Sequence, residues 1–168
     1  MPQVVGVWAE EAGHDVHFVC YTGRENLLIA QPDDIDVLFI SAFTRSAHLA
    51  YAISNMYQKQ GAITVLGGPH ARCCPEDSQK YFDYVLGITD KALVVDLLQD
   101  CTRQRPEGVY LSALNQPRNL PGVEQRWKYI SATLEKAPTR VKMVPMIGSL
   151  GCPYSCSFCI DSTIDYLP

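Results

Sequence analysis

Three cysteines near the end of this 168-residue sequence have the side-chain type and the spacing that can bind a metal centre. Three residues separate Cys152 from Cys156, two separate Cys156 from Cys159, and the group follows the apolar run Val141–Ile147. Soft thiolate ligands favour iron–sulfur clusters, zinc or copper(I). Three thiolates on a cluster of four irons would leave one iron open to a small molecule.

Two other interpretations of these cysteines stay open at this point. Zinc is one, although it usually takes four ligands in paired two-residue spacings and no second pair follows in the sequence. Unligated thiols are the other, because cysteine also behaves as a small buried hydrophobe. The spacing, and its position after an apolar run, favour the cluster over both.

The cysteine spacing resembles the signature of the radical SAM enzymes, in which an aromatic residue usually precedes the last cysteine, as Phe158 does here. The resemblance implies that Cys152, Cys156 and Cys159 hold a [4Fe-4S] cluster whose open iron binds S-adenosylmethionine. It also implies that Tyr154 and Phe158 lie near that cofactor. In the family, an electron from an external donor passes through the cluster and cleaves the sulfonium to give a carbon radical.

Composition and charge exclude several classes of protein. With 47% hydrophobic and 19% charged residues the sequence is typical of a globular protein. A net charge of -4 provides no electrostatic footprint for nucleic acid or an anionic membrane. No apolar run approaches the roughly 18 residues of a membrane span, and no signal peptide opens the sequence. Seven cysteines, two of them adjacent at Cys73 and Cys74, suit a reducing compartment, so we predict a cytoplasmic protein.

Ahead of the cysteines, apolar runs of β-forming residues alternate with helical periodicity. The predicted strands are Val16–Tyr21, Asp36–Ser41, Ile63–Leu66 and Tyr84–Leu86. The predicted helices are Pro2–Ala12, Glu25–Gln31, a helix through Leu49–Tyr57, Pro75–Phe82, and a last one that follows a cap at Thr89. This alternation predicts a flavodoxin-like (Rossmann-like) α/β domain with a parallel sheet, which binds ligands beyond the carboxyl ends of its strands.

We predict three regions. The α/β domain covers residues 1–103, and a linker covers 104–138, since residues 102–121 are rich in Pro, Asn, Gln and Arg. An amphipathic helix with Val123, Trp127, Ile130 and Leu134 on one face closes the linker. Residues 139–168 are then the start of a (β/α) barrel, with a first strand at Met143–Ile147.

Three segments of the α/β domain resemble the cobalamin-binding domain found in a subclass of radical SAM enzymes. They are Phe39–Ser41 followed by Thr44, Val65–His70 and Asp83–Gly87. The resemblance implies cobalamin contacts from Ser41, Thr44, Gly67, Gly68, His70 and Gly87. His70 fits a loop histidine bonded to backbone equally well, and Ser41 and Thr44 are equally typical of turns and caps.

The axial ligand of cobalt stays unassigned. Cobalamin proteins that supply a histidine ligand use Asp, one residue, His, two residues, Gly, and Asp15 and His17 match only the first half of that motif. The glycine is missing and His17 falls in a predicted strand. We therefore do not assign His17 to cobalt.

Two departures from the family pattern lead us to expect a piece of a longer enzyme, inactive by itself. Family domains begin with a strand ahead of the first helix, and a full barrel needs on the order of 200 residues, whereas nine follow Cys159. The predicted parent is a cobalamin-binding radical SAM enzyme that performs radical or methyl-transfer chemistry on an unknown substrate. The alternative is a non-enzymatic flavodoxin-like domain that binds a small ligand or a partner, with structural or zinc-binding cysteines.

Overall fold

The computed structural model describes residues 2–21, 34–101, 107–136, 144 and 148–167. The strands are β1 (Val37–Ser41), β2 (Ile63–Gly67), β3 (Tyr84–Leu86) and β4 (Val109–Leu111). The helices are α1 (Pro2–Glu11), α2 (Ala47–Lys59), α3 (Pro69–Cys73), α4 (Pro75–Ser78), α5 (Lys91–Asp100) and α6 (Trp127–Lys136). Two short 3-10 turns lie at Thr44–Ser46 and Ile160–Thr163.

The four strands form one parallel sheet in the order β1-β2-β3-β4. Ser41 pairs with Gly67 at the carboxyl ends of β1 and β2, and Leu86 pairs with Leu111 at those of β3 and β4. Each crossover between neighbouring strands contains helix, as parallel pairing requires. The α/β class with an all-parallel sheet, predicted from the alternating pattern, is confirmed.

Helices cover both faces of the sheet, and alternate residues of each strand divide between them. Phe39 and Val37 pack with the cluster formed by α1 and α5, where Val4 and Val94 are fully buried. Ile40 of the same strand packs on the opposite face, against clusters of α2. This two-faced burial explains why the strands read as near-continuous apolar runs.

Four of the predicted elements are confirmed with small shifts of their ends: α1, β1, α2 and β2. Strand β3 has the predicted bounds. Helix α5 follows the predicted region, but its cap is Asp90, whose carboxylate accepts a hydrogen bond of 2.8 Å from Leu93 N. The predicted cap was wrong, because the Thr89 hydroxyl donates to Gly87 O instead.

The predicted strand Val16–Tyr21 is wrong, since these residues have no strand pairing in the described structure. The run is apolar because its side chains pack against the hydrophobic core, although its backbone does not pair with a strand in the described structure. Val16 packs on the cluster of α1 and α5, and Tyr21 packs on Ile53 and Tyr57 of α2. The pattern of apolar residues alone cannot distinguish a paired strand from an unpaired segment that packs on the core.

Three further predictions need correction. Helix α4 ends at Ser78, short of the predicted Phe82, and the one-turn helix α3 before it was missed. Strand β4 lies inside the stretch 102–121 predicted as linker. It was missed because it is three residues long and two of them are exposed, which leaves little apolar signal.

Helix α6 confirms the predicted amphipathic helix from residue 127 onwards, but Trp127 is 51% exposed while Tyr129 and Ile130 are buried. The predicted helix at Glu25–Gln31 lies outside the described residues, as does nearly all of the predicted strand Met143–Ile147.

Within the described ranges no helix combines the length and apolar character needed to cross a bilayer.

Candidate functional site

The carboxyl edge of the sheet brings together most of the residues predicted to contact cobalamin. Because all strands are parallel, Ser41, Gly67 and Gly87 lie at or just beyond neighbouring strand ends on the same edge. His70 N donates to Ala42 O over 3.1 Å, which joins the start of α3 to the loop after β1. Open parallel sheets bind ligands at this edge.

Gly68 is required by the geometry of this edge. Its backbone has φ 90° and ψ -170°, a region that side chains almost exclude. A Cβ at this position would also lie 2.6 Å from Ser41 Oγ. The glycine therefore lets the backbone turn sharply over β1 while the exposed Ser41 hydroxyl stays at the strand end.

His70 is buried, with 3% of its surface exposed, and both ring nitrogens have partners. Tyr51 Oη lies 2.7 Å from Nε2, and Thr44 Oγ1 lies 3.3 Å from Nδ1. Tyr51 donates its own proton to Asp77 Oδ2 over 2.9 Å, since a carboxylate only accepts. It follows that Nε2 of His70 carries a proton that it donates to Tyr51. In the neutral imidazole, Nδ1 then accepts from Thr44.

These four side chains form a directed chain of hydrogen bonds from Thr44 through His70 and Tyr51 to Asp77. Burial is the main cause that raises the pKa of the Tyr51 phenol, which keeps the hydroxyl protonated. The hydrogen bond from Tyr51 is the main cause that lowers the pKa of Asp77, followed by the bond from Lys80. This series of hydrogen bonds thus holds the exposed Thr44 hydroxyl at the sheet edge in one orientation.

Tyr51 and Asp77 were not found from the sequence. Tyr51 is 5% exposed and its ring stacks on Tyr81, with centroids 4.1 Å apart and an interplanar angle of 11°. The sequence signal that could have identified Tyr51 is a second set of residues at helical spacing in α2, namely Ala47, Tyr51 and Ser54, which are all buried. The predicted apolar face included Leu49, which is 38% exposed.

Gly87 lies at the same edge, after β3. Its N–H donates to Leu111 O over 2.8 Å, and a Cβ there would meet the Tyr110 hydroxyl and lie 2.9 Å from Ser112 Oγ. The hydroxyl of Ser112 also accepts from Ile88 N over 3.1 Å. Close packing of β4 therefore explains this glycine, and a contact with a ligand stays a prediction.

The cysteine motif lies on a loop whose two ends are joined. Leu150 and Leu167 form an antiparallel bridge, with N to O distances of 3.0 and 2.9 Å. Gly151 has φ 69°, and a Cβ at this position would collide with the carbonyl oxygens of Ile164 and Asp165. Between these ends, Cys159 N donates to Cys156 O over 3.1 Å.

In the described structure Cys152, Cys156 and Cys159 form no disulfide. Cys156 is exposed, while Cys152 and Cys159 are half-buried. In the part of the chain that the structure describes, no three Cys, His, Asp or Glu side chains are grouped closely enough to hold a metal ion. The donor set has the chemistry of an iron–sulfur site, namely three thiols on one accessible loop, but the sulfur atoms are not assembled around a common point.

The aromatic residues of the loop, Tyr154 and Phe158, are 72% and 90% exposed. The loop contacts the α/β domain through Arg72 of α3, whose Nη2 lies 3.3 Å from Asp161 Oδ1. Since α3 follows β2 directly, the cysteine loop lies on the side of the domain that carries the sheet's carboxyl edge. A surface ion pair of this kind contributes little to stability.

The amino-acid sequence of the chain is similar to those of two methyltransferases of Chlorobaculum tepidum. The chain is 32% identical over 133 residues to the bacteriochlorophyllide d C-8(2)-methyltransferase, which is 76% of the chain and 28% of that enzyme. It is 24% identical over 129 residues to the bacteriochlorophyllide d C-12(1)-methyltransferase, which is 77% of the chain and again 28% of the enzyme. No family model and no solved structure matches the chain. The chain is thus similar over most of its length to enzymes that transfer methyl groups, and spans just over a quarter of their length.

Proposed function

We propose that this chain is the cobalamin-binding and cluster-binding part of a radical SAM methyltransferase. The observation that carries the proposal is the Cys152, Cys156 and Cys159 motif on one closed loop, downstream of a parallel sheet. The similarity to two methyltransferases supports methyl transfer as the reaction class. Methyl transfer by a longer enzyme that contains this chain is likewise a proposal.

The role of the cysteine loop in this proposal is to hold a [4Fe-4S] cluster with three thiolates. The chemistry that the cluster supplies when bound is reductive cleavage of S-adenosylmethionine. The bridge between Leu150 and Leu167 keeps the ends of the loop together, which limits the entropy lost when the three thiolates are brought to one cluster. The exposed ring of Phe158 is available to cover the nucleoside part of S-adenosylmethionine.

The role of the sheet edge is to receive the nucleotide tail and the flat macrocycle of cobalamin. Ser41 and Thr44 present exposed hydroxyls, and Gly67 and Gly68 let backbone approach a ligand closely. In the observed geometry His70 acts through Thr44, because its own ring nitrogens are both engaged. We therefore propose that His70 positions the Thr44 hydroxyl, and we do not assign it to cobalt.

The cluster is tested by anaerobic reconstitution with iron and sulfide. We expect about four irons and four sulfides per chain and a reduced EPR signal, as for a site with three cysteine ligands. Cys156→Ala should lose most of the bound iron and the signal. Cys73→Ala is the matched control, since Cys73 is an exposed thiol outside the motif. About one zinc per chain without sulfide would refute the cluster and favour the non-enzymatic binding domain.

Cobalamin is tested separately by mixing the chain with hydroxocobalamin and removing free ligand by gel filtration. Retained absorbance at a stoichiometry near one supports the site at the sheet edge. Thr44→Val should weaken retention, because it removes the hydroxyl but keeps a similar side-chain shape. Loss of all colour from the unmodified chain would remove cobalamin from the proposal while leaving the cluster untouched.

A further inference from the structure

A cavity, away from both the sheet edge and the cysteine side chains, lies between the turn before α6 and the ends of the cysteine loop. It has a volume of about 400 Å³ and is lined on one side by Leu120, Val123 and Arg126, and on the other by Ser149, Leu150 and Leu167. This size is within the range of small-molecule sites. Its walls are mostly apolar.

The charged residues that line this cavity are both arginines, Arg118 and Arg126, and no Asp or Glu belongs to its lining. Arg126 is 4% exposed, whereas the Arg118 side chain is exposed at the rim. Among the described residues neither guanidinium has a carboxylate within ion-pair distance. A buried cation without an anionic partner is costly, so an anion bound beside Arg126 would be stabilised.

The hydrogen bonds of Arg126 engage Nε and Nη1 of its guanidinium and leave Nη2 without an acceptor among the described residues. Nε donates to Pro121 O over 2.9 Å and to Gly122 O over 3.2 Å, and Nη1 donates to Gln3 Oε1 over 3.2 Å. No described residue accepts from Nη2. Nη2 is also not among the fully enclosed, unpartnered atoms of the described structure, which are Gln116 Oε1 and Tyr129 Oη. Nη2 is therefore left without an acceptor among the described residues, on a side chain that lines the cavity.

From this geometry we infer that the cavity binds a small organic oxyanion, a carboxylate or a phosphate, with an apolar body. Nη2 of Arg126 and the guanidinium of Arg118 recognise the oxyanion, since an arginine fork matches both groups. Leu120, Val123, Leu150 and Leu167 cover the apolar body. The ligand would join the turn before α6 to the closed ends of the cysteine loop. This inference is independent of the proposed function.

The test is isothermal titration calorimetry of the 168-residue chain with hexanoate, acetate and inorganic phosphate at low ionic strength, with hexanol as the uncharged control. Hexanoate should bind with one-to-one saturation and about tenfold or more tighter than acetate, because four further methylene groups are buried. Hexanol should bind more weakly than hexanoate. Tighter binding of phosphate than of hexanoate would assign the natural ligand to phosphate compounds.

Variants separate the pocket from a general effect of charge. Arg118→Gln should weaken binding about threefold or more. Arg45→Gln removes the same charge from an exposed residue of the Thr44–Ser46 turn and should change affinity less than twofold. Arg126→Lys keeps the charge but loses the fork, and should also weaken binding, with thermal unfolding measured alongside. If no oxyanion saturates, or if Arg118→Gln and Arg45→Gln lower the affinity equally, the inference is wrong.

Discussion

Tyr51 Oη lies 2.7 Å from Nε2 of His70, in a buried contact between α2 and α3. Because the Tyr51 proton goes to Asp77, Nε2 of His70 donates to Tyr51, and in the neutral imidazole Nδ1 accepts from Thr44 and orients its hydroxyl. A helix packed on one face of the sheet thereby determines where a hydroxyl points at the sheet's carboxyl edge.

Removal of the Tyr51 hydroxyl should destabilise the domain modestly. Tyr51→Phe keeps the stacked ring but leaves His70 Nε2 without its acceptor, and we expect a loss of about 1 kcal/mol in the free energy of unfolding. Urea denaturation at pH 7 measures it. Tyr110→Phe, at a residue that is 43% exposed, is the control and should change stability by much less. An equal effect of both variants would contradict the proposed chain of hydrogen bonds from Thr44 to Asp77.

The same variant should change the dependence of stability on pH. The Tyr51 hydrogen bond lowers the pKa of Asp77 in the folded state, so this contribution is present above the unfolded pKa, about 4, and is lost as the pH falls through the folded value. The difference in stability between the unmodified chain and Tyr51→Phe should therefore be smaller at pH 3 than at pH 7. A difference that grows on acidification would oppose this assignment.

Asp83 should be important for stability. It is 4% exposed and its Oδ2 accepts from Thr64 N over 2.7 Å and from Thr64 Oγ1 over 3.0 Å, which joins the start of β3 to β2. Asp83→Ala leaves these buried donors unsatisfied and should cost about 2–3 kcal/mol. Asp96→Asn, at an exposed position of α5, should be nearly neutral in the same thermal and chemical unfolding experiments.

The two candidate caps of α5 can be compared directly. Asp90→Ala removes the bond to Leu93 N and should lower stability by about 1 kcal/mol. Thr89→Ala removes only a hydrogen bond of 3.2 Å to Gly87 O and should cost less. A larger effect at Thr89, measured by circular dichroism during urea unfolding, would restore the cap predicted from the sequence.

Gly68 offers a test of the sheet edge. Gly68→Ala forces a side chain into a disfavoured backbone region and against Ser41 Oγ, and should cost about 1–3 kcal/mol in stability. It should also lower the retention of hydroxocobalamin. Gly13→Ala is the control, since it has a similar φ of 92° but nothing within 4 Å of the added Cβ. It should lose stability through strain without affecting cobalamin. If both variants retain cobalamin equally, the sheet edge is not its site.

Sequence pattern was sufficient for β1, β2 and β3 because each is a compact run rich in apolar residues that packs against helices of the domain. It was sufficient for α2 and α5 because their apolar residues recur at helical spacing. It failed at Val16–Tyr21, where an equally apolar run contributes side chains to the core without joining the sheet. It also failed at β4, whose exposed residues are held by backbone pairing with β3. Backbone partners are a property of the folded chain, and local composition does not encode them.

For the candidate site, the chemical types of the side chains follow from the order of the residues alone: three thiols at a metal-binding spacing, and hydroxyls and glycines after the strands. The three-dimensional packing was needed to show that His70 is buried between Thr44 and Tyr51, and that Arg126 lines a cavity without an acidic partner among the described residues. The reason is physical. Spacing along the chain specifies which groups can meet within one loop, whereas contacts between residues such as Tyr51 and His70 depend on how helices pack on the sheet.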